Sequence, residues 1–448
     1  MSDDWSGRRL HFVGIGGAGM SGLAIVAAAL GAAVTGSDAV DTPYLEGVRG
    51  AGVDPRIGYD AANVPAADDV ELVVSTAVPE DNRERAAGRR RGLRELHRGA
   101  LLGELSRLRR TIAVAGTHGK TTTASMAAHA LLALGWEPSY VIGGELTTTG
   151  TNAAAGAGEW LVAEADESDR SFLELRPEVA VVTNMELDHH TTYPSRVELE
   201  AAFAEFLRRA LRRVVADDAE SEAFLDRAGI VEAAFYGASE IELREGGSRF
   251  VWAGERVTLS VPGVHNVANA AAALTACVVA GASPGEVAGT LADFRGAGRR
   301  FEHLGETANG ALVIDDYAHH PTELRATIAA ARTLGARRVV AVFQPHLYSR
   351  TRLLAREFGE ALALADVACV LDVYPARERA EDHPGVSGLL VAQAAADAAP
   401  GRTVAWTPGF DDAERLLRAM LRRGDVCLVL GAGNIDALGR RLLAGGAT

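Results

Sequence analysis

The chain has 448 residues, 48% hydrophobic and 23% charged, with a formal net charge of −14. This is length for about three domains of ordinary globular composition. The negative balance excludes a general binder of nucleic acid or anionic membranes, though not a local basic pocket for a small anion.

Three cysteines, Cys277, Cys369 and Cys427, stand far apart in apolar runs, which predicts buried reduced thiols rather than disulfides or a zinc site. Arg8-Arg9 precede an apolar run, but Asp3, Asp4 and early glycines spoil a signal-peptide pattern. The most apolar stretch, residues 23–34, is too short to span a bilayer. A cytoplasmic protein without membrane insertion is expected. Leu10–Val13 predicts a first strand, Gly14-Ile-Gly-Gly-Ala-Gly19 a turn, Met20–Leu30 a helix and Ala33–Thr35 a second strand. Gly14, Gly16 and Gly19 fit G-x-G-x-x-G in its strand-to-helix context, and Asp38 stands where a ribose-binding acid belongs. The pattern reads as a dinucleotide site, but the geometry serves any diphosphate, because glycines allow close approach and the helix N-terminus attracts the charge. Glu71–Ser75 predicts another buried strand. The basic run from Asn82 to Arg98 reads as a solvated helix face closing a first domain, residues 1–104.

The second domain, residues 105–295, opens on a buried strand, Thr111–Ala115, followed by Gly116-Thr-His-Gly-Lys-Thr-Thr122 and a helix from Thr123 to Leu134. Such a turn makes a nest of backbone N–H groups for a polyphosphate. Lys120 would reach the outer phosphates and the Thr121 hydroxyl would hold Mg²⁺. The loop is a shortened form, since Val114 stands where the general pattern has glycine. Gly143 to Asn152 reads as a polar binding loop. Trp160–Ala163 predicts a strand that delivers Glu164-Ala-Asp-Glu-Ser-Asp169, carboxylates where a Mg²⁺ ligand is wanted. Val179–Thr183 predicts a strand ending in Asn184-Met-Glu-Leu-Asp-His-His190, whose histidines suit metal ligation, phosphate orientation or a turn cap. An amphipathic helix, Leu199–Leu211, and a strand, Arg213–Ala216, follow. Alternating runs between Phe235 and Val261 predict hairpins, and an Ala-rich helix begins near Asn266, a helix cap or a ligand contact.

The third domain, residues 296–448, repeats the α/β rhythm, with strands at Ala311–Ile314, Arg338–Phe343, Val367–Leu371 and Val426–Leu430. Three end in polar clusters: Asp315 to Glu323, Gln344 to Arg352 and Gly431 to Ile435. Clusters on that edge imply a ligand, and Arg350 and Arg352 after a buried strand favour an anion. The fold class is α/β: an N-terminal Rossmann-like domain, a central P-loop ATPase-like parallel sheet with a small antiparallel addition, and a C-terminal Rossmann-like domain.

Five stretches together resemble the Mur ligases of bacterial cell-wall synthesis: His11 to Ser21, Gly116 to Thr122, Glu164 to Asp169, Asp315 to Glu323 and Phe343 to Thr351. The likeness spans essentially the whole chain. It implies that Gly14, Gly16, Gly17, Gly19 and Met20 hold the UDP of a sugar substrate rather than NAD, with Ser37 and Asp38 near the uridine. ATP would take Gly116, Thr117, His118, Gly119, Lys120, Thr121 and Thr122, with Asn266 and Asn269 near the adenine and Arg299 and Asp315 in the part that closes over the nucleotide. Thr121, Glu164 and His189 would serve Mg²⁺, with Mn²⁺ as a substitute. His346, Tyr348 and Arg350 would look after an incoming amino acid, and Lys120, His189, His346 and Arg350 form the catalytic set. Two positions depart from the family pattern: Leu347, where some members carry Arg, and Arg170, where a small residue is usual.

The implied reaction joins L-alanine to the lactyl carboxyl of UDP-N-acetylmuramate. ATP first converts the carboxylate to an acyl phosphate, with Lys120 and Mg²⁺ stabilising the moving phosphoryl group. The neutral amine then displaces phosphate. Water would destroy the intermediate, so closure over the site is expected. The implied partners are these small molecules, with no nucleic acid, and the chain would be a monomer or weak homodimer. Alternatives are a ligase attaching a whole tripeptide to the same sugar nucleotide, an NAD(P)-dependent oxidoreductase resting on Gly14 to Gly19 and Asp38, and a non-catalytic nucleotide-gated binding protein.

Overall fold

The computed structural model describes residues 5–189 and 192–444, so His190 lies outside the described residues. The chain divides into two compact units. The first runs to Ser239 and takes in Val251–Val257 and Ala268–Phe294; the second holds Glu240–Phe250, Thr258–Val267 and the chain from Arg295.

The first unit contains two sheets. One is built from β1 (Arg9–Val13), α1 (Ala18–Ala29), β2 (Ala33–Asp38), α2 (Tyr44–Gly50), β3 (Arg56–Ile57), β4 (Val70–Val74), α3 (Arg83–Arg91), β5 (Arg94–His97) and α4 (Arg98–Leu108). Its order is β3-β2-β1-β4-β5, all parallel. The chain goes one way from β1 and then crosses to its other side, so the turn after β1 opens at the topological switch point, where open α/β sheets bind ligands. Alternation along β1 sends Leu10 and Phe12 to one core and Val13 to another, with Leu72 and Val74.

The other sheet of this unit uses β6 (Arg110–Ala115), α5 (Lys120–Ala133), β7 (Ser139–Leu146), β8 (Thr151–Ala154), β9 (Trp160–Glu164), β10 (Val179–Val182), α6 (Arg196–Arg209), β11 (Arg212–Ala216), α7 (Ala219–Ala228) and β12 (Ala234–Tyr236). The order is β12-β11-β10-β6-β9-β7-β8, parallel except for the β7–β8 pair. β6 therefore lies between β10 and β9, and the loops after all three share one edge. After it come β13 (Ser239–Arg244), β14 (Gly247–Trp252) and β15 (Glu255–Leu259), a separate three-stranded sheet, then α8 (Val264–Ala280) and α9 (Pro284–Ala288).

The second unit carries β16 (Glu302–Glu306), β17 (Leu312–Asp316), α10 (Pro321–Arg332), β18 (Arg338–Phe343), α11 (Tyr348–Leu362), β19 (Val367–Val370), α12 (Gly388–Ala398), β20 (Thr403–Trp406), α13 (Phe410–Met420), β21 (Asp425–Leu430) and α14 (Asp436–Ala444). The order β16-β17-β21-β18-β19-β20 is parallel apart from β16. Its central strands read as continuous apolar runs because both faces are covered. Ile314, Val339, Ala341, Phe343, Leu428 and Leu430 fill one core, while Val313, Val340, Val342, Cys427 and Val429 fill the other.

Three sequence expectations are corrected. The run from Asn82 to Arg98 is not one solvated helix. It is α3, β5 and the start of α4, because Asn82 caps α3 by accepting from Glu84 N and Arg85 N and Gly92, at φ +70°, ends it. The boundary at residues 104/105 falls inside α4, a continuous helix with Leu101, Leu102 and Leu105 buried. Gly143 to Asn152 is the end of β7 and the start of β8, paired at Leu146 and Thr151 and joined by a short turn. Hydroxyl and glycine content hid it, since ladder bonds do not depend on apolar side chains. The cysteines are free and buried, as expected. No helix among the described residues is long and apolar enough to cross a membrane.

Candidate active site

In the first unit the turn after β1 is fixed from β2. Gly14 N and Ile15 N donate to Ser37 O at 2.8 and 2.9 Å. Gly16 N donates to Asp38 Oδ2 at 2.8 Å, and Thr42 Oγ1 donates to Gly16 O at 2.8 Å. A Cβ on Gly16 would stand 2.7 Å from Thr42 Oγ1 and 2.9 Å from Asp38 Oδ2, so a larger residue would displace the two side chains that hold the turn. Asp38 thus braces the glycine turn. Ser37 is fully buried and donates to Glu84 Oε2 at 2.5 Å, and Met20 packs its side chain into the core. Any ligand contact from Met20 comes from its backbone in the first turn of α1.

The turn after β6 carries Lys120 into a carboxylate setting. Lys120 Nζ donates to Gly116 O at 2.6 Å, to Thr117 O at 3.1 Å and to Glu167 Oε1 at 3.0 Å. Burial alone would lower the ammonium pKa, but Glu167, then Asp166 and Glu164, outweigh it and hold the pKa above its usual value. Lys120 is therefore a fixed positive charge. Gly119 N-caps α5 at φ +80°, and a Cβ there would stand 2.3 Å from Asn269 Oδ1. Asn269 accordingly lies against the phosphate loop, where its Oδ1 also accepts from Thr123 Oγ1 at 3.3 Å. Thr121 Oγ1 donates to Glu164 Oε2 at 3.0 Å, and Gly143 N donates to the same oxygen at 2.8 Å. His189, held at φ +54°, brings Nε2 to 3.5 Å from Glu167 Oε1.

The segment after β10 braces this loop. His118 N donates to Asn184 Oδ1 at 3.0 Å, Thr117 Oγ1 donates to Glu186 O at 2.8 Å, and His118 Nε2 lies 2.8 Å from Glu186 Oε2. Thr122 is buried in the first turn of α5. Sequence reasoning gave Asn184, Glu186 and Glu167 no individual role, only a place in the polar clusters after β9 and β10. Their only signal was position at the C-terminal ends of β9 and β10, beside the loop in sheet order.

In the second unit Arg299 donates Nε to Asp315 Oδ2 at 3.1 Å, Nη1 to Gly433 O at 3.0 Å and Nη2 to Gly431 O at 2.7 Å. Asp315 is fully buried, and Oδ1 has no hydrogen-bond partner among the described residues. Burial raises its pKa to about 7 against the opposing pull of Arg299. The neighbouring Asp316 rises to about 6, again through burial, although Arg300 and the N–H groups of Ala318 and Phe301 lower it. Asn266 lies inside α8 rather than before it, and its Nδ2 donates to Pro262 O at 2.7 Å. His346 stacks on Tyr374 with ring centroids 5.8 Å apart, and Tyr348 stacks on His383 at 5.7 Å. Arg350 is buried in the first turn of α11. Leu347, just before it, takes φ +71° and ψ 133°, a region that costs a branched residue about 1–3 kcal/mol. Leu347 N donates to Tyr374 O at 3.0 Å, and Leu347 O accepts from Thr351 N and Oγ1, which holds the strained turn. Arg170, at φ +63°, lays its guanidinium 5.1 Å from the Tyr193 ring.

The segments that carry the glycine turn after β1, the Lys120 loop after β6 and the Arg299–Asp315 pair are each matched by a family model. Residues 9–110 match the Mur ligase family catalytic domain, 114–277 the Mur ligase middle domain and 299–433 the Mur ligase glutamate ligase domain. The chain belongs to the Mur ligase family. It is 46% identical to a UDP-N-acetylmuramate–L-alanine ligase of a Nocardioides species, over 97% of this chain and 95% of that one. Among solved structures it is similar to a UDP-N-acetylmuramate–alanine ligase of Thermotoga maritima, with TM-score 0.83, 28% identity and coverage of 97% and 98%. It is also similar to a murein peptide ligase of Psychrobacter arcticus, with TM-score 0.74, 26% identity and 99% coverage of both chains. As a Mur ligase the chain has the three-domain α/β architecture expected from its sequence.

Proposed function

We propose that this Mur ligase joins L-alanine to the lactyl carboxyl of UDP-N-acetylmuramate, forming UDP-N-acetylmuramoyl-L-alanine, ADP and phosphate. The observation that carries the reading is the half-buried Lys120 at the mouth of the phosphate loop, beside Thr121 and Glu164. Relatives 42–47% identical, all UDP-N-acetylmuramate–L-alanine ligases, support the substrate pair.

The carboxylate oxygen attacks the γ-phosphorus of ATP, the bond to the bridging oxygen breaks, and ADP leaves. Lys120 exchanges its contacts with Gly116 O, Thr117 O and Glu167 for phosphate oxygens, neutralising charge as the phosphoryl group moves. Thr121 and Glu164 offer hard oxygen donors 3.0 Å apart, and His189 a nitrogen, a set that fits Mg²⁺ and also Mn²⁺. The ion, when bound, supplies positive charge to the phosphate oxygens. The Gly14–Gly19 turn takes the UDP diphosphate at the N-terminus of α1. His346, Tyr348 and Arg350 are assigned to the amino acid, where a guanidinium suits its carboxylate. The ammonium group loses a proton, the amine attacks the acyl carbon, and phosphate departs. The chain works in the cytoplasm on small molecules alone, as a monomer or weak homodimer.

The deciding experiment is mass spectrometry of the product from UDP-N-acetylmuramate, ATP and an equimolar amino-acid mixture, with the tripeptide in a second arm. L-alanine incorporation is the expected result. Incorporation of the tripeptide alone would overturn the assignment of the amine, and absence of ADP release would overturn the reaction.

A further inference from the structure

Arg98 lies in the basic run that sequence alone read as solvent-facing, yet its side chain is only 19% exposed. It opens α4, directly after β5. The first turn of α4 is pressed on the acidic loop after β9: a Cβ on Gly99 would stand 2.4 Å from Ser171 Cβ. That contact fixes where the guanidinium goes. Nη2 donates to Asp166 Oδ2 at 2.6 Å and to Asp169 Oδ2 at 3.2 Å. Both carboxylates are held from their other oxygens, Asp166 by Ser168 N and Asp169 by Ser171 N. Nη1 makes no hydrogen bond among the described residues and lies 3.2 Å from where a Cβ on Gly19 would stand, in the first turn of α1. One edge of a planar fork is thus pinned to the acidic loop, and the other is presented at the glycine turn.

We infer that Arg98 is a ligand-binding residue of the sugar-nucleotide site, donating Nη1 to the diphosphate beside Gly19. The inference rests on the assignment of that turn to UDP. A guanidinium held on one edge loses little freedom when the other edge takes up a phosphate oxygen, and its planar donor geometry matches phosphate. The acidic loop extends the consequence. Asp166 accepts from Arg98, and the next residue, Glu167, accepts from Lys120 Nζ at 3.0 Å. Arg98 therefore ties the sugar-nucleotide turn to the acidic loop that also positions Lys120.

The test compares dissociation constants of UMP and UDP for the full chain by calorimetry. A contact to the β-phosphate shows in the UMP/UDP ratio, whereas a structural defect weakens both nucleotides together. A charge-assisted hydrogen bond corresponds to roughly ten- to hundredfold in affinity. Arg98→Gln is expected to reduce the ratio about tenfold while UMP binding stays within about twofold. If this variant loses its circular dichroism spectrum, Arg98→Lys is read instead. It keeps one charge for Asp166 and Asp169 but lacks the second donor edge, so the ratio is expected to fall several-fold. An unchanged ratio in the folded variant overturns the inference. Failure of the wild-type chain to bind either UDP or UDP-N-acetylmuramate would overturn the assignment of the turn itself, a result visible before any substitution.

Discussion

Lys120 and Glu167 are the most demanding pair at the scale of single residues. Glu167 is 1% exposed and Lys120 Nζ lies 2.9 Å from its Oε2. Removing one partner leaves a buried charge unpaired, which costs about 3–5 kcal/mol, more than the pair contributes against an apolar replacement. Lys120→Met should therefore lower stability by that order and reduce turnover by at least about 10²-fold, while adding Glu167→Gln should restore part of the stability and none of the turnover. Equilibrium urea unfolding, followed by the stacked Trp136 and Trp160, and an ADP-release assay measure the two. Additive losses of stability would contradict the pairing. Asp315 makes a pH prediction. Its native pKa, about 7, lies above the ordinary 3.8, so the native state holds the proton more tightly. Its contribution to stability is complete below about pH 4 and is lost as pH rises through 7. The thermal midpoint of the wild type relative to Asp315→Asn should therefore fall between pH 4 and 7, and a relative rise would contradict the assignment.

Among elements, α3 shows how a helix on the far side of the sheet reaches the binding edge. Glu84, in its first turn, is fully buried. Its Oε2 accepts from Ser37 Oγ at 2.5 Å and lies 3.2 Å from His11 Nε2, while Oε1 accepts from Asn63 Nδ2 at 2.7 Å and Asp60 N at 3.2 Å. Burial alone would raise its pKa, but His11, Ser37 and Asn63 outweigh it and keep the carboxyl below the ordinary value. One carboxylate thus joins β1, the end of β2 and the segment after β3. Glu84→Ala strands several buried donors, and its expected cost is on the order of 2–5 kcal/mol. Denaturant titration measures that cost, and a change under about 0.5 kcal/mol would show that the network is replaceable by water. The same logic explains the phosphate loop. Its glycines permit the turn, but the Thr183–Glu186 segment after β10 decides where it sits.

For the whole molecule, ligands should act on stability through mass action. A nucleotide that binds only the folded chain stabilises it by about 2.7 kcal/mol at a hundred times its dissociation constant. A non-hydrolysable ATP analogue with Mg²⁺ should raise the melting temperature of the wild type and leave that of Lys120→Ala nearly unchanged at the same concentration. UDP-N-acetylmuramate should still stabilise that variant, because its turn belongs to a different sheet. Equal nucleotide shifts in both chains, read by differential scanning fluorimetry, would place the nucleotide away from Gly116–Thr122.

The strands β1, β6, β9, β10, β18, β19 and β21 were legible because burial on both faces demands unbroken apolar runs, and the loops after β1 and β6 because phosphate geometry demands glycines at fixed spacing. These local rules fixed the α/β class and singled out the loop Gly116–Thr122 with Lys120, Thr121 and Glu164 as candidates. They could not show that the run from Asn82 to Arg98 is broken by a strand, that Glu84 and Arg98 leave the solvent, or that Asp38 is spent on Gly16. Those outcomes depend on partners 20 to 70 residues away in the chain. A charged side chain reads the same in sequence whether it meets water or a counter-charge. Only the packing of sheet against helix settles which, since a buried ion is tolerated only where the fold delivers its partner.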